Sequence, residues 1–380
     1  ARQAFRLAPH DPQAVFLMAR LLEETGDWED ARNHYFEALR WDALRFRADA
    51  TINTIIRDVA RASPEWTRLV DAAEALGMDS PMPTALPGRE SLFEHVHLNW
   101  EGNFRLARLL AGASAELLSG RANGDTDWLT VDACADRLGF TDAGRSMMLM
   151  SMDGLTSRPP FTAQMNYGVD RTWLLGELAM VNGRLAEPGR LAASVEQVDA
   201  ALRARPDDPF LHFHAATLHA QTGNMGRALE LNERLGRLEP PSAERAVQRA
   251  YLLAELGRRD DAEAVLLETA ESSPYYFQTY GLLGALWSGG DTIDRGLGYF
   301  SALVDRMPNS PGVLHTYARL LAENGDWTAA EHQWLKILEM IPDDEGALAP
   351  LIDRWVRDGK RTEAVDLMQA AFDYNPRSLA

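Results

Sequence analysis

Ile52, Ile55, Ile56 and Val59 fall on one face of a helix, and this i, i+3, i+4, i+7 pattern predicts an amphipathic helix over 45–60. The next apolar stretch, Thr67 to Asp71, is short and partly β-branched, which predicts a buried strand. A loop rich in Pro and Gly, Ser80 to Gly88, leads into Leu92–Asn103, and a second helix is expected over 104–118. Toward the C-terminus the apolar pattern comes under a fixed period.

That period is marked by Pro206, Pro240, Pro274, Pro308, Pro342 and Pro376, each 34 residues after the last. Gly223, Gly257, Gly325 and Gly359 keep the same step, with Asp291 on the missing rung. Small residues keep it twice more, at Ala228, Ala262, Gly296, Ala330 and Ala364, and at Ala216, Ala250, Gly284 and Ala318. Two antiparallel helices per period satisfy all four series. A small residue on each helix lets the pair approach, Gly supplies the positive-φ turn between them, and Pro ends the second helix. One such hairpin cannot bury both faces, so neighbours must stack into a solenoid.

A 34-residue helix–turn–helix period with this pattern resembles the tetratricopeptide repeat (TPR). Clear copies span about 209–380. Another opens the chain, with Ala19, Gly26, Ala31, Tyr35 and Ala38 at the expected offsets and Pro9 closing a partial copy before it. The expected fold class is all-α, a TPR α-α superhelix with a small mixed α/β inserted segment. The expected domains are a TPR hairpin at 1–43, an insert at 44–118, a helical connector at 119–205 holding a degenerate copy over 171–206, and an array at 206–380.

Within the insert, a helix, a strand ending in Asp71, a loop and then Glu94-His95-Val96-His97 before a helix resemble the C-terminal end of an SGNH (GDSL-type) hydrolase domain. The resemblance implies that His97 is the general base for a serine nucleophile and Glu94 the carboxylate that fixes its tautomer. Glu stands where the family has Asp, and His95 is a rival imidazole. No Gly-Asp-Ser occurs, so the resemblance places the nucleophile half upstream in the same polypeptide. It further implies a periplasmic segment of a membrane-anchored bacterial protein, with the opening Ala-Arg-Gln-Ala-Phe read as a cut through a longer chain. The other reading of the Glu/His cluster is a capping network in which Asn99 or Asn103 starts the helix.

The TPR resemblance implies a protein or peptide ligand, held by the second, fifth, ninth and thirteenth positions of each first helix. These are Phe210, Phe213, Thr217 and Gln221, then Glu244, Val247, Tyr251 and Glu255. Gln278, Gly281, Ala285 and Gly289 follow, then Gly312, His315, Arg319 and Glu323, and last Gly346, Ala349, Asp353 and Arg357. The leading function is thus an interaction scaffold, and the alternative is the C-terminal part of an SGNH-like esterase.

Charge narrows the partners. With 38 Lys and Arg against 56 Asp and Glu, the net charge of −18 disfavours nucleic acid and anionic membranes. The single Cys134 excludes an intrachain disulfide and a cysteine-based metal cage, and no cofactor is implied. Residues 129–144 have the look of a helix-turn-helix, but the second helix offers only Arg145 to DNA, so a helical connector is expected. Met147, Met148, Met150 and Met152 do not share a helical face and are read as core rather than copper ligands. His212 and His219 share a face without a third ligand, so no metal site is expected there.

Overall fold

The computed structural model describes residues 1–43, 48–119 and 128–375. Leu44–Arg47, where the insert was expected to begin, and Pro376, the last rung of the ladder, lie outside the described residues. The chain forms two compact units, Ala1–Cys134 with Gly168–Leu174, and Ala135–Tyr167 with Leu175–Ala380.

The first unit contains α1 (Arg2–Leu7), α2 (Pro12–Glu24), α3 (Trp28–Trp41), α4 (Ala50–Ala62), α5 (Ala72–Met78) and α6 (Trp100–Ser119). Helices α2 and α3 pair as a hairpin. Asp11 caps α2 by accepting from the Ala14 N–H at 2.8 Å, and Pro12 occupies the first turn, where no N–H is needed. Ala19 and Ala31 are fully buried, and Gly26 turns the chain between the helices at φ 81°.

The strand expected at Thr67–Asp71 does not form. Residues 67–70 take no regular secondary structure; the Thr67 N–H turns back to the Ser63 carbonyl and the Val70 carbonyl accepts from Ala72, so the segment is closed by local turns rather than a ladder. Among the described residues there is no β-strand, only an isolated bridge between Leu92 and Leu98. The expected α/β insert is therefore helices joined by loops. Its amphipathic helix, α4, buries none of its residues; Ile52, Ile55, Ile56 and Val59 are all exposed.

Helices α7 (Val131–Leu138) and α9 (Tyr167–Leu185) each contribute residues to both units, and α8 (Asp142–Thr156) and α10 (Arg190–Ala204) belong to the second. Five hairpins follow: α11 (Pro209–Gln221) with α12 (Met225–Leu238), α13 (Ala243–Glu255) with α14 (Arg259–Ser272), α15 (Gln278–Leu286) with α16 (Ile293–Arg306), α17 (Pro311–Glu323) with α18 (Trp327–Met340), and α19 (Glu345–Arg357) with α20 (Arg361–Tyr374). Helices α10, α12, α14, α16 and α18 each stop two residues before a ladder proline. Proline cannot donate to the helix, and it biases the residue before it toward extended backbone, so the stop falls just ahead of it. Ala216, Ala228, Ala250, Ala262, Ala318 and Ala330 are all fully buried, which is the close helix approach their spacing predicts.

Two departures have physical causes. Helix α15 ends at Leu286, four residues short of its siblings' length, because Trp287 turns inward. Trp287 is buried, its Nε1–H donates to Glu263 at 3.0 Å, and a 3-10 turn at Gly290–Thr292 restores the register. The second concerns the degenerate copy. Helix α10 packs against α8 and α11. Met147 of α8 lies beside Gln221, and Gly144 beside His214, so α8 runs parallel to α11. Helix α9 returns antiparallel along α8, tied by Arg184 to Asp142 at 2.7 Å and Ser146 to Asn182 at 2.6 Å. Among the described residues no helix is long and apolar enough to cross a membrane.

Candidate functional site

A cavity of about 620 Å³ opens on the face made by three successive first helices, α15, α17 and α19. Phe277, Gln278 and Gly281 line one side, Gly312, His315, Thr316 and Arg319 the middle, and Gly346 and Pro350 the other side, with Trp334 also in the wall. Glycine at 312 lets Phe277 lie on the backbone of α17, since a Cβ there would stand 2.9 Å from the Phe277 Cβ. Glycine at 346 does the same for His315, whose Cε1 would be 2.9 Å away.

His315 donates through Nε2 to Asp344 Oδ1 at 2.9 Å, and the same oxygen accepts from the Ala347 N–H at 3.0 Å, capping α19. Burial pushes the Asp344 carboxyl up, but the His315 bond and charge, the Ala347 N–H and the charge of Arg158 outweigh it, and its pKa lies below the ordinary range. Arg319 approaches Glu323 Oε1 only to 3.9 Å, while Glu323 Oε2 accepts from Ser288 at 2.6 Å.

Other expected ligand positions lie elsewhere. Asp353 and Arg357 pair with each other on exposed α19 surface. Phe210 is exposed and stacks on His214. Phe213 is half-buried, and Val247 is partly buried against the core of the array. Tyr251 and Glu255 are exposed on α13, and Gln221 reaches Met147. Thr217 is engaged inside the fold: its hydroxyl accepts from Gln248 Nε2 at 2.9 Å. Gln248 Oε1 in turn accepts from the fully buried Asn232 at 2.7 Å. Phe277, Trp334 and Pro350 were not among the expected positions. A signal for Pro350 was available, because proline inside a helical period is itself anomalous.

The histidines of α11 each have their own partner: His212 Nδ1 the Asp208 carbonyl at 3.0 Å, His219 Nε2 the Asp199 carboxylate at 3.2 Å. His214 is buried, and burial holds its pKa below the usual imidazole value. Arg145 lies 3.4 Å from Glu177 rather than projecting as a reading residue. Of the methionine set, Met150 is exposed, while Leu149 is the core residue of that turn.

In the first unit, Glu94 sits between two imidazoles. His97 Nδ1 meets Glu94 Oε1, and His95 Nδ1 lies 2.5 Å from Oε2. The carboxylate also accepts the backbone N–H groups of His97 at 2.8 Å and Val96 at 3.1 Å. Burial raises its pKa, but the hydrogen bonds from the His97 ring and backbone outweigh that, and it falls below the usual carboxylate range. His97 stands on a turn closed by the Leu92–Leu98 bridge, not at the edge of a strand as expected. Asn99 caps α6, accepting from the Gly102 N–H at 2.9 Å.

Residues 171–342 match the tetratricopeptide repeat family model, and the helices there pair as that repeat's hairpins do. No family match supports the hydrolase resemblance of the insert. Among curated proteins none matches this chain. Among solved structures it is similar to YrrB, described as a TPR protein with an unusual peptide-binding site, at 16% identity and a TM-score of 0.32 over 48% of this chain and 90% of that one. It is similar to MamA at 16% identity and a TM-score of 0.33, over 40% and 82%. The C-terminal part of a TPR repeat-containing protein from Cytophaga hutchinsonii shares 13% identity with a TM-score of 0.37, over 48% and 74%.

Proposed function

We propose that the chain is an interaction scaffold that takes a peptide, or a segment of a partner protein, in the groove of its second unit. The observation that carries this reading is the cavity across α15, α17 and α19, whose volume of 620 Å³ falls within the usual ~300–1,000 Å³ of ligand sites. Its walls combine apolar surface with few polar groups, the mixture that recognises side chains of an extended segment. A photo-crosslinking residue placed at Gln278, an exposed residue on the cavity wall, tests the reading. It should capture peptides selected from a random library, whereas the same residue on the exposed far side at Glu268 should not. Equal capture at both positions would overturn it.

One observation favours a second reading for the first unit. Glu94 holds His97 through Nδ1, and Nε2 of this half-exposed ring has no partner among the described residues, which is the arrangement of a base awaiting a nucleophile. On this reading His97 and Glu94 belong to an SGNH-like acyl hydrolase site whose serine comes from outside residues 48–119. A fluorophosphonate probe on this chain should label no serine. On the full-length polypeptide, labelling that His97→Gln abolishes would support the hydrolase reading, and its absence would retire it.

A further inference from the structure

We propose that the groove selects a peptide carrying a large aromatic side chain beside a carboxylate, the ring entering over Gly281 and the carboxylate meeting Arg319. This rests on the scaffold reading above and names the chemistry of its ligand.

Three features of the cavity carry the proposal. Gly281 lies inside α15, where glycine costs about 1 kcal/mol relative to alanine. Packing does not call for it: a Cβ there would meet nothing within 4 Å, and its φ is helical. Gly312 and Gly346, by contrast, are pressed by Phe277 and His315. Of the helical glycines that meet nothing within 4 Å, Gly281 is the one that lines the cavity, and its missing side chain leaves open the space bounded by Phe277, Trp334 and Pro350. A flat ring between aromatic and proline surfaces gains offset or edge contacts as well as apolar burial.

The second feature is charge. The chain carries −18 overall, yet no acidic residue lines this cavity, and its two ionisable lining groups are His315 and Arg319. His315 is committed to Asp344. The Arg319 guanidinium makes only a loose ion pair with Glu323 Oε1 at 3.9 Å, beyond hydrogen-bond reach. A ligand carboxylate can offer it the bidentate partner it lacks.

The third feature points to a peptide rather than a small aromatic acid. Pro350 has no N–H, so the carbonyl of Gly346, four residues earlier, loses its helical donor at the cavity wall. A ligand backbone N–H supplies one.

The test uses the whole chain and three fluorescein-labelled pentapeptides, Gly-Asp-Phe-Asp-Gly, Gly-Lys-Phe-Lys-Gly and Gly-Asp-Ala-Asp-Gly, followed by anisotropy. The acidic aromatic peptide should bind about tenfold or more tighter than either control, the scale expected of one good charged pair or one buried ring. Gly281→Leu and Gly281→Met should each abolish that binding with no fall in Tm, and Arg319→Gln should erase the preference over the lysine peptide. If the lysine or alanine peptide binds as well and Gly281→Leu blocks it, the groove stands but the ligand chemistry is wrong. If no peptide binds at about 1 mM, or if filling position 281 leaves binding unchanged, this ligand proposal is overturned, and the crosslinking test alone decides the scaffold reading.

Discussion

The methyl of Thr316 occupies the space in which Gly284 would carry a Cβ. The two residues belong to the first helices of neighbouring repeats, and their contact sets how closely α15 and α17 approach. Three residues before Gly284, Gly281 on the same helix meets nothing. Alanine at the two sites should therefore act in opposite directions. Gly281→Ala should stabilise the protein by up to about 1 kcal/mol through helix propensity. Gly284→Ala should destabilise it by about 1–3 kcal/mol, because the added methyl overpacks a filled interface. Urea unfolding of the two variants side by side checks the sign of each.

Asn232, Gln248 and Thr217 form a buried polar chain linking α12, α13 and α11. Removing its fully buried end, Asn232, takes the donor from both Gln248 Oε1 and the Arg245 carbonyl. Asn232→Ala should cost about 1–3 kcal/mol, and the Asn232→Ala, Gln248→Ala pair should cost less than the sum of its singles. Additive losses in a double-mutant cycle would show that the three residues act separately.

Glu94 has a pKa below its ordinary value, so the unfolded chain takes up that proton first. Its contribution is complete above the unfolded carboxyl value of about 4.3 and is lost as pH falls through the lower folded value. Glu94→Gln should lower Tm at neutral pH, and the two melting curves should converge in acid. A gap that persists at the lowest pH would assign the loss to shape rather than charge.

His214 has its pKa lowered by burial, so the folded state holds it neutral while the unfolded chain binds a proton near pH 6.5. Stability should decline as pH falls below that value toward the folded pKa. In His214→Gln the fall in Tm between neutral and mildly acid pH should shrink. The ring stacks on Phe210, so a fixed loss at every pH is expected as well, and the slope carries the test.

Much of the array is legible in the sequence because its signals are local. Pro240 stops α12 and Gly257 turns α13 into α14 whatever surrounds them. What failed depended on partners the sequence does not display. Thr67–Asp71 has the residues of a strand but forms no ladder, and its ends are closed by local turns. At the site, counting helix positions reaches His315, Arg319 and the glycines that line the cavity. It misses Trp334, which comes from a second helix, and it lists Thr217, whose hydroxyl the interior uses.

The early end of α15 can be viewed as a defect in a one-dimensional lattice. Helix α15 loses a turn, yet α16 begins 34 residues after α14 and α17 begins 34 residues after the site where α15 would have started. Trp287 and the Gly290–Thr292 turn absorb the missing helix without shifting the phase of anything that follows. Chain length between rungs is thus the quantity the array holds fixed, and helix content within a rung is free to vary. A residue added between 287 and 292 would act as a dislocation, displacing every later first helix from its neighbour, whereas a substitution there stays a local matter.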